Sequence, residues 1–312
     1  METVVWLTSL GVECFRFTAL HRERLRREAP ELRVTLCATE AEFRAALPRA
    51  ELAMVWHFQQ AWFAEAPRLR WLVTPAAGRD YFQVVPPTGV DQFYGSFHGR
   101  IMGESVLAMM LGGARGVVLG ALRQAHDPWP RDALVAAGRL LRGSHVAILG
   151  FGHIGEHVAR LAKPFGCRIT GIKRTRVPAP AFFGPEDRLV LVDELDCILP
   201  TVDHLVVILP GDAGTDRLVD ARRLALLPSS AWLYNVGRGN CLDEAALATA
   251  LARGKLGGAC LDVYAQEPLL ADSPLRAAPN LLLLPHATAF APEYIDYFLD
   301  EFVPFYRERI AG

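Results

Sequence analysis

Short apolar runs separated by mixed segments set the rhythm of this chain. Over residues 1 to 95 the runs TVVWL, RVTL, LAMVWHF and LRWLVTP read as strands and stretches such as AEFRAAL as helices, the alternation of a small α/β unit. Residues 99 to 125, GRIMGESVLAMMLGGARGVVLGALRQA, contain no proline and carry apolar side chains on more than one side, which predicts one long, mostly buried helix. After the turn-like DPWP at 127 to 130 the alternation resumes through VAIL, RITGI, LVVILP, AWLYNV, GGACLDV and LLLLP. Strands that are apolar throughout, with helices between them, predict a parallel sheet covered on both faces. Two of those helices are visible: DARRLALL at 220 to 227, and DEAALATALARG at 243 to 254, where Asp243 is placed to cap and Gly254 to terminate. The amphipathic end, APEYIDYFLDEFVPFYRERIAG, is expected to fold back onto the N-terminal unit. The predicted class is α/β with doubly wound parallel sheets, and 312 residues are more than one core usually holds, so two domains are expected.

Composition narrows the partners. Hydrophobic residues make up 51% and charged residues 21%, the profile of a folded chain. With 33 Lys and Arg against 34 Asp and Glu, no global field attracts nucleic acid or an anionic membrane. The densest basic run, HRERLRRE at 21 to 28, interleaves Arg22, Arg24, Arg26 and Arg27 with Glu23 and Glu28 and reads as a solvated helix face. The most apolar window, VLAMMLGGA at 106 to 114, lies between Glu104 and Arg115 and is too short to span a bilayer. METVVWLTSL reads as a first strand, not a signal peptide, and the six cysteines form no C-x-x-C pair, so buried thiols in a reducing cytoplasm are expected.

One stretch, HVAILGFGHIGEHVARLAKPFG at 145 to 166, supports two incompatible chemistries. Gly150, Gly152 and Gly155 spell G-x-G-x-x-G after a strand, the arrangement that holds a dinucleotide pyrophosphate; His153, Glu156 and His157 spell H-x-x-E-H, a zinc-peptidase signature. Zinc chemistry needs no glycine at these places, and inside a helix Gly152 and Gly155 would each cost about 1 kcal/mol. Pyrophosphate binding does need them: a Cβ at the second glycine collides with phosphate and one at the third pushes helix from strand. No metal site is therefore expected. The residue that reads the ribose falls at the end of the next strand, where an Asp or Glu selects a free 2′-hydroxyl. Here that place holds Lys173, Arg174, Thr175 and Arg176, groups suited to a 2′-phosphate. NADP(H) is expected in preference to NAD(H), a merely solvated loop being the alternative.

Downstream, three strand ends carry polar groups: NVGRGN with Arg238, LDVYAQEP with Asp262 and Glu267, and LLLLPHAT with His286. Ligands bind at strand C-termini in doubly wound sheets, so the three are expected to converge. In this order, together with LRWLVTPAAGRDYF, HVAILGFGHIG and LVVILPGDAGTDRLV, they resemble the D-isomer-specific 2-hydroxyacid dehydrogenase family over nearly the whole chain. The resemblance implies two Rossmann-like domains, a cofactor domain at 96–285 inserted into a smaller substrate domain formed by 1–95 and 286–312. It implies that Arg238 pairs with a substrate carboxylate and polarises its carbonyl, that His286 transfers the proton, and that Glu267 holds the ring and favours its protonated form. It also implies cofactor contacts from Gly150, Gly152, His153, Ile154, Gly155, Leu209, Pro210, Thr215, Val236, Gly237 and Asp262, and a carboxylate grip by the amides of Ala77 and Gly78. His153 reads equally as a surface imidazole. Asn240 and Cys241 depart from the small or apolar residues common after the arginine.

VWHF at 55 to 58 resembles the Trp-His of glyoxylate and hydroxypyruvate reductases, which places Trp56 on the substrate pocket; a core aromatic is the alternative. His98 reads as a residue of the domain junction, facing the cleft or making a hinge contact. The expected reaction is reduction of a small 2-oxo acid, glyoxylate or hydroxypyruvate first and a bulkier 2-oxo acid second. A cofactor-sensing scaffold, as among corepressor relatives, is the reading from another class. The family suggests a homodimer joined through cofactor domains, with the helix at 99 to 125 as the contact.

Overall fold

The computed structural model describes residues 1–8, 11–78 and 82–310; Arg79, Asp80 and Tyr81, part of the LRWLVTPAAGRDYF stretch, lie outside the described residues. The chain forms two compact units, Met1–His98 with Phe290–Gly312, and Gly99–Ala289. The sequence places the joins at 95/96 and 285/286; compaction places them at 98/99 and 289/290. His98 stays with the first unit, its Nε2 being 2.7 Å from the Tyr294 hydroxyl, and residues 287 and 288 stay with the second because their amides bind the Asp262 carboxylate.

In the first unit, β1 (Glu2–Trp6), β2 (Arg33–Leu36), β3 (Leu52–Val55), β4 (Trp71–Thr74) and β5 (Asp91–Tyr94) form a parallel sheet in the order β2-β1-β3-β4-β5. β5, of sequence DQFY, carries no apolar run and was not predicted; it is an edge strand that buries one side chain, Phe93. Phe93 packs against Phe298 and Phe302 of the helix Tyr294–Arg309, which folds onto this unit as expected. In the basic run Arg22, Arg26 and Arg27 are exposed, as a solvated face requires. Arg24 differs: it bonds Asp296 and Asp300 and ties the helix Ala19–Glu28 to Tyr294–Arg309.

The second unit contains β6 (His145–Leu149), β7 (Arg168–Lys173), β8 (Arg188–Leu191), β9 (His204–Val207), β10 (Trp232–Asn235), β11 (Gly258–Leu261) and β12 (Leu281–Leu283), parallel in the order β12-β11-β10-β9-β6-β7-β8. β6 and β9 to β11 are buried along their whole length, with Leu149, Val207, Leu233 and Leu261 in one core and Val146, Ile148, Val206 and Tyr234 in the other. The order reverses between β6 and β9, the switch point at which ligands bind in such sheets. Asp243 caps the helix Glu244–Ala252 through the Ala246 amide, and Gly254 ends it at φ +61°.

The apolar run 99–125 predicts one unbroken helix, and here the structure differs. The chain makes helices His98–Ala114 and Val117–Arg123, bent by 71° about Gly116, whose φ of +73° ends a helix without the penalty a Cβ brings. Among the described residues no single helix is long and apolar enough to cross a membrane.

Candidate active site

At the β6 turn each glycine answers to a different steric demand. Gly150 has φ +98°, and a Cβ there would overlap the Ile208 carbonyl. At Gly155 a Cβ would stand 2.8 Å from the Gly150 oxygen and 3.0 Å from Ile148, so helix and strand close up only without one. At Gly152 nothing lies within 4 Å: this glycine faces open space, the place where a pyrophosphate needs access to backbone. Gly152 is also the N-cap of the helix His153–Ala162 and supplies no capping side chain, which leaves the first-turn amides to an anion. The residues present therefore fit a dinucleotide.

The competing histidine motif is taken up by packing. Gly99 and Gly103 let the helix His98–Ala114 approach His153–Ala162, and a Cβ at Gly99 would stand 2.5 Å from His157 Nδ1. His157 Nδ1 lies 3.0 Å from the His153 carbonyl, and Glu156 pairs with Arg160 at 2.7 Å. Among the described residues no three His, Cys, Asp or Glu side chains are grouped to hold a metal. His153 itself is exposed at the first helical position beside Gly152.

Lys173 ends β7, and Arg174, Thr175 and Arg176 follow it, all exposed. Arg174 reaches toward Asp212 at 3.8 Å, across to the loop that leaves β9. That loop, Leu209 to Thr215, is pinned by Thr215, whose buried hydroxyl lies 2.7 Å from the Pro210 carbonyl and accepts the Asp212 amide. Thr215, which the resemblance places in the loop alongside the cofactor, organises that loop through its hydroxyl.

Arg238 follows β10 between two glycines that permit close approach on both sides. A Cβ at Gly237 would lie 2.5 Å from the Leu209 amide nitrogen, and one at Gly239 would overlap the Tyr264 backbone. The turn is fixed from beneath by Asn235, fully buried, which accepts from the Gly237 amide and donates to the Arg238 carbonyl. Val236 is buried in the same turn. Cys241 is also buried, and burial pushes its thiol pKa up.

On the neighbouring strand ends, Glu267 and His286 meet: Nδ1 of His286 is 2.8 Å from Glu267 Oε2, while Oε1 accepts the Tyr264 amide at 3.0 Å. His286 sits at φ +55°, a conformation disfavoured for a residue with a side chain. Asp262, fully buried at the end of β11, holds it there. Its carbonyl accepts the His286 amide, and its carboxylate accepts the amides of Ala287 and Thr288 at 2.6 and 3.0 Å and the Thr288 hydroxyl at 2.5 Å. Asp262, which the resemblance places near the nicotinamide, has its carboxylate engaged by the turn that presents the histidine. Tyr264 adds a second brace, its hydroxyl 2.7 Å from the Leu284 carbonyl, and burial, with Asp262 nearby, pushes its pKa up to about 12.

Arg238, Glu267 and His286 thus follow β10, β11 and β12, adjacent strands of one sheet, at the same edge as the glycine turn after β6. Asn235 and Tyr264 escaped the sequence reading; a polar Asn closing an apolar strand was the available signal for the first. The other substrate candidates lie in the first unit. Ala77 and Gly78 follow β4, and Trp56, half-buried, donates its indole N–H to the Phe15 carbonyl and packs on Phe15 and Tyr294.

Residues 107–288 match the family described as D-isomer specific 2-hydroxyacid dehydrogenase, NAD binding domain. The glyoxylate reductase of Aeropyrum pernix is 34% identical over 239 residues, 74% of this chain and 70% of that protein. The glyoxylate/hydroxypyruvate reductase B of Yersinia enterocolitica is 33% identical over 257 residues, 79% and 77% of the two chains. Among solved structures, a D-isomer-specific 2-hydroxyacid dehydrogenase from Xanthobacter autotrophicus, in complex with NADPH and MES, superposes with a TM-score of 0.78 at 26% identity, covering 97% of this chain and 93% of that one. The chain belongs to the D-isomer-specific 2-hydroxyacid dehydrogenase family. It is an oxidoreductase that uses a nicotinamide cofactor, with the two-domain Rossmann-like fold of that family.

Proposed function

We propose that the protein reduces a small 2-oxo acid to the D-2-hydroxy acid, with NADPH as reductant and glyoxylate or hydroxypyruvate as substrate. The observation that carries the reading is the 2.8 Å contact between His286 and Glu267 one strand away from Arg238, in the unit that holds the glycine turn. When bound, the reduced nicotinamide supplies the hydride for C2. Arg238 binds the substrate carboxylate and draws electron density from the carbonyl, its planar guanidinium offering donors to both groups. His286 gives a proton to the carbonyl oxygen through Nε2, and Glu267, engaged at Nδ1, fixes the tautomer and the ring's direction. The curated relatives named as glyoxylate and hydroxypyruvate reductases support that choice of substrate.

For the cofactor, the cations at 173, 174 and 176 favour a 2′-phosphate, and no carboxylate ends β7 to accept a 2′-hydroxyl. The protein is proposed to be a homodimer. Val117, Leu122, Trp129, Val135 and Leu140, all within residues 117 to 140 of the chain that follows the helix His98–Ala114, are exposed apolar side chains. The test of the reaction is a panel of 2-oxo acids assayed with NADPH and with NADH. Turnover of glyoxylate or hydroxypyruvate with NADPH supports it. Cofactor binding with silence across the panel favours a cofactor-sensing scaffold, and turnover of bulkier acids alone changes the substrate class.

A further inference from the structure

Besides Glu267, a second carboxylate reaches the turn that carries it. The successive amides of Tyr264 and Ala265 are both held by glutamates: Tyr264 N–H by Glu267 Oε1 at 3.0 Å, and Ala265 N–H by Glu244 Oε1 at 2.6 Å. Tyr264 buries its ring in the core, but Ala265, Gln266 and Glu267 are exposed, so hydrogen bonds hold this outer part of the turn. Glu244 is half-buried, and its carboxyl pKa is raised by burial, with the Glu267 charge adding to the effect. The helix Glu244–Ala252 has no need of this side chain as a cap, since Asp243 already accepts the Ala246 amide. Glu244 also stands six residues after Arg238, on the segment whose Gly239 abuts the Tyr264 backbone. Glu267 is the charged group that acts on Glu244, while Asp262, Glu267 and Arg276 act on Tyr264 of the same turn.

We infer that Glu244 is a positioning residue for proton transfer: by accepting the Ala265 amide it holds the turn that presents Glu267 to His286, and so couples the arginine segment to the acid–histidine pair. The inference rests on the reading of His286 as proton donor. It assigns the work to a hydrogen-bond acceptor at a set reach, and three variants separate that from charge and from bulk. Glu244→Gln keeps the acceptor and loses the charge; Glu244→Asp keeps the charge but falls one methylene short of Ala265; Glu244→Ala loses both.

In the 2-oxo acid reductase assay, Glu244→Asp and Glu244→Ala are expected to lower kcat about tenfold, with KM and cofactor affinity within about twofold of wild type, and Glu244→Gln to stay within about twofold on every count. Should Glu244→Ala fail to fold, the Asp and Gln variants decide the matter between them. Wild-type kcat in Glu244→Asp, a loss in Glu244→Gln as deep as in Glu244→Ala, or a lowered melting temperature with kcat unchanged would each overturn the assignment. If the wild-type enzyme itself reduces no 2-oxo acid, the catalytic reading fails and takes this one with it; if the wild type turns over and Glu244→Asp matches it, only the role of Glu244 falls.

Discussion

Individual side chains here are set by what they are buried against. His204 shows this most plainly: enclosed beside Tyr234, with Nδ1 2.9 Å from its hydroxyl, the imidazole is pushed by burial from 6.5 to about 4. In the unfolded chain the same group takes its proton near 6.5, so between those values the unfolded state holds more protons than the folded one. The stabilisation is therefore complete above pH 6.5 and is lost as pH falls toward 4, to a limit of about 3 kcal/mol. Denaturant midpoints measured from about pH 7.5 down to 5 should fall, and His204→Gln should flatten part of that slope. His145 and His21, lowered likewise by burial, contribute to the remainder. An unchanged slope in the variant would show that His204 does not carry the effect. At the surface, Arg174→Asp should move the preference from NADPH toward NADH by placing a carboxylate where a 2′-hydroxyl is read; equal affinities before and after would remove Arg174 from cofactor choice.

At the scale of elements, the strand–turn–helix at 145–162 was legible because its three glycines have separate reasons to lack a Cβ, and the structure separates them. Gly155→Ala should destabilise the fold by about 2 kcal/mol, since its Cβ meets backbone at 2.8 Å. Gly152→Ala should leave the melting temperature close to wild type and weaken cofactor binding about tenfold or more, because its Cβ projects into open space that the pyrophosphate needs. Thermal melts and cofactor titration of the two variants check this, and a Gly152→Ala protein with undiminished affinity would contradict it. Elsewhere local pattern was insufficient. β5 is a short edge strand whose pairing partner, not its own sequence, makes it a strand. The bend at Gly116 lay hidden in GGARG, where the apolar run outweighed the glycine in the reading. Asp262 was visible as a candidate, but its work on residues 286–288 depends on neighbouring strands that sequence spacing does not reveal.

For the whole molecule, the proposed homodimer is tested at the exposed apolar side chains between residues 117 and 140. Trp129 is 78% and Val135 75% exposed, and a double Trp129→Glu, Val135→Glu variant should elute as a 34.4 kDa monomer while the wild type runs at twice that mass in size-exclusion light scattering. A monomeric wild type would contradict the homodimer. Catalysis is the larger claim; the convergence it requires was legible as three separated motifs, because each follows a strand of one parallel sheet and strand order brings Arg238, Glu267 and His286 to one edge. The most direct measurement is the oxidation of NADPH with glyoxylate, followed through the loss of nicotinamide absorbance, in the wild type and in His286→Ala. The expected result is turnover by the wild type and a loss of about a thousandfold in kcat in the variant, with NADPH affinity within a few fold. A variant that turns over as fast as the wild type would mean that the imidazole held by Glu267 does not move the proton.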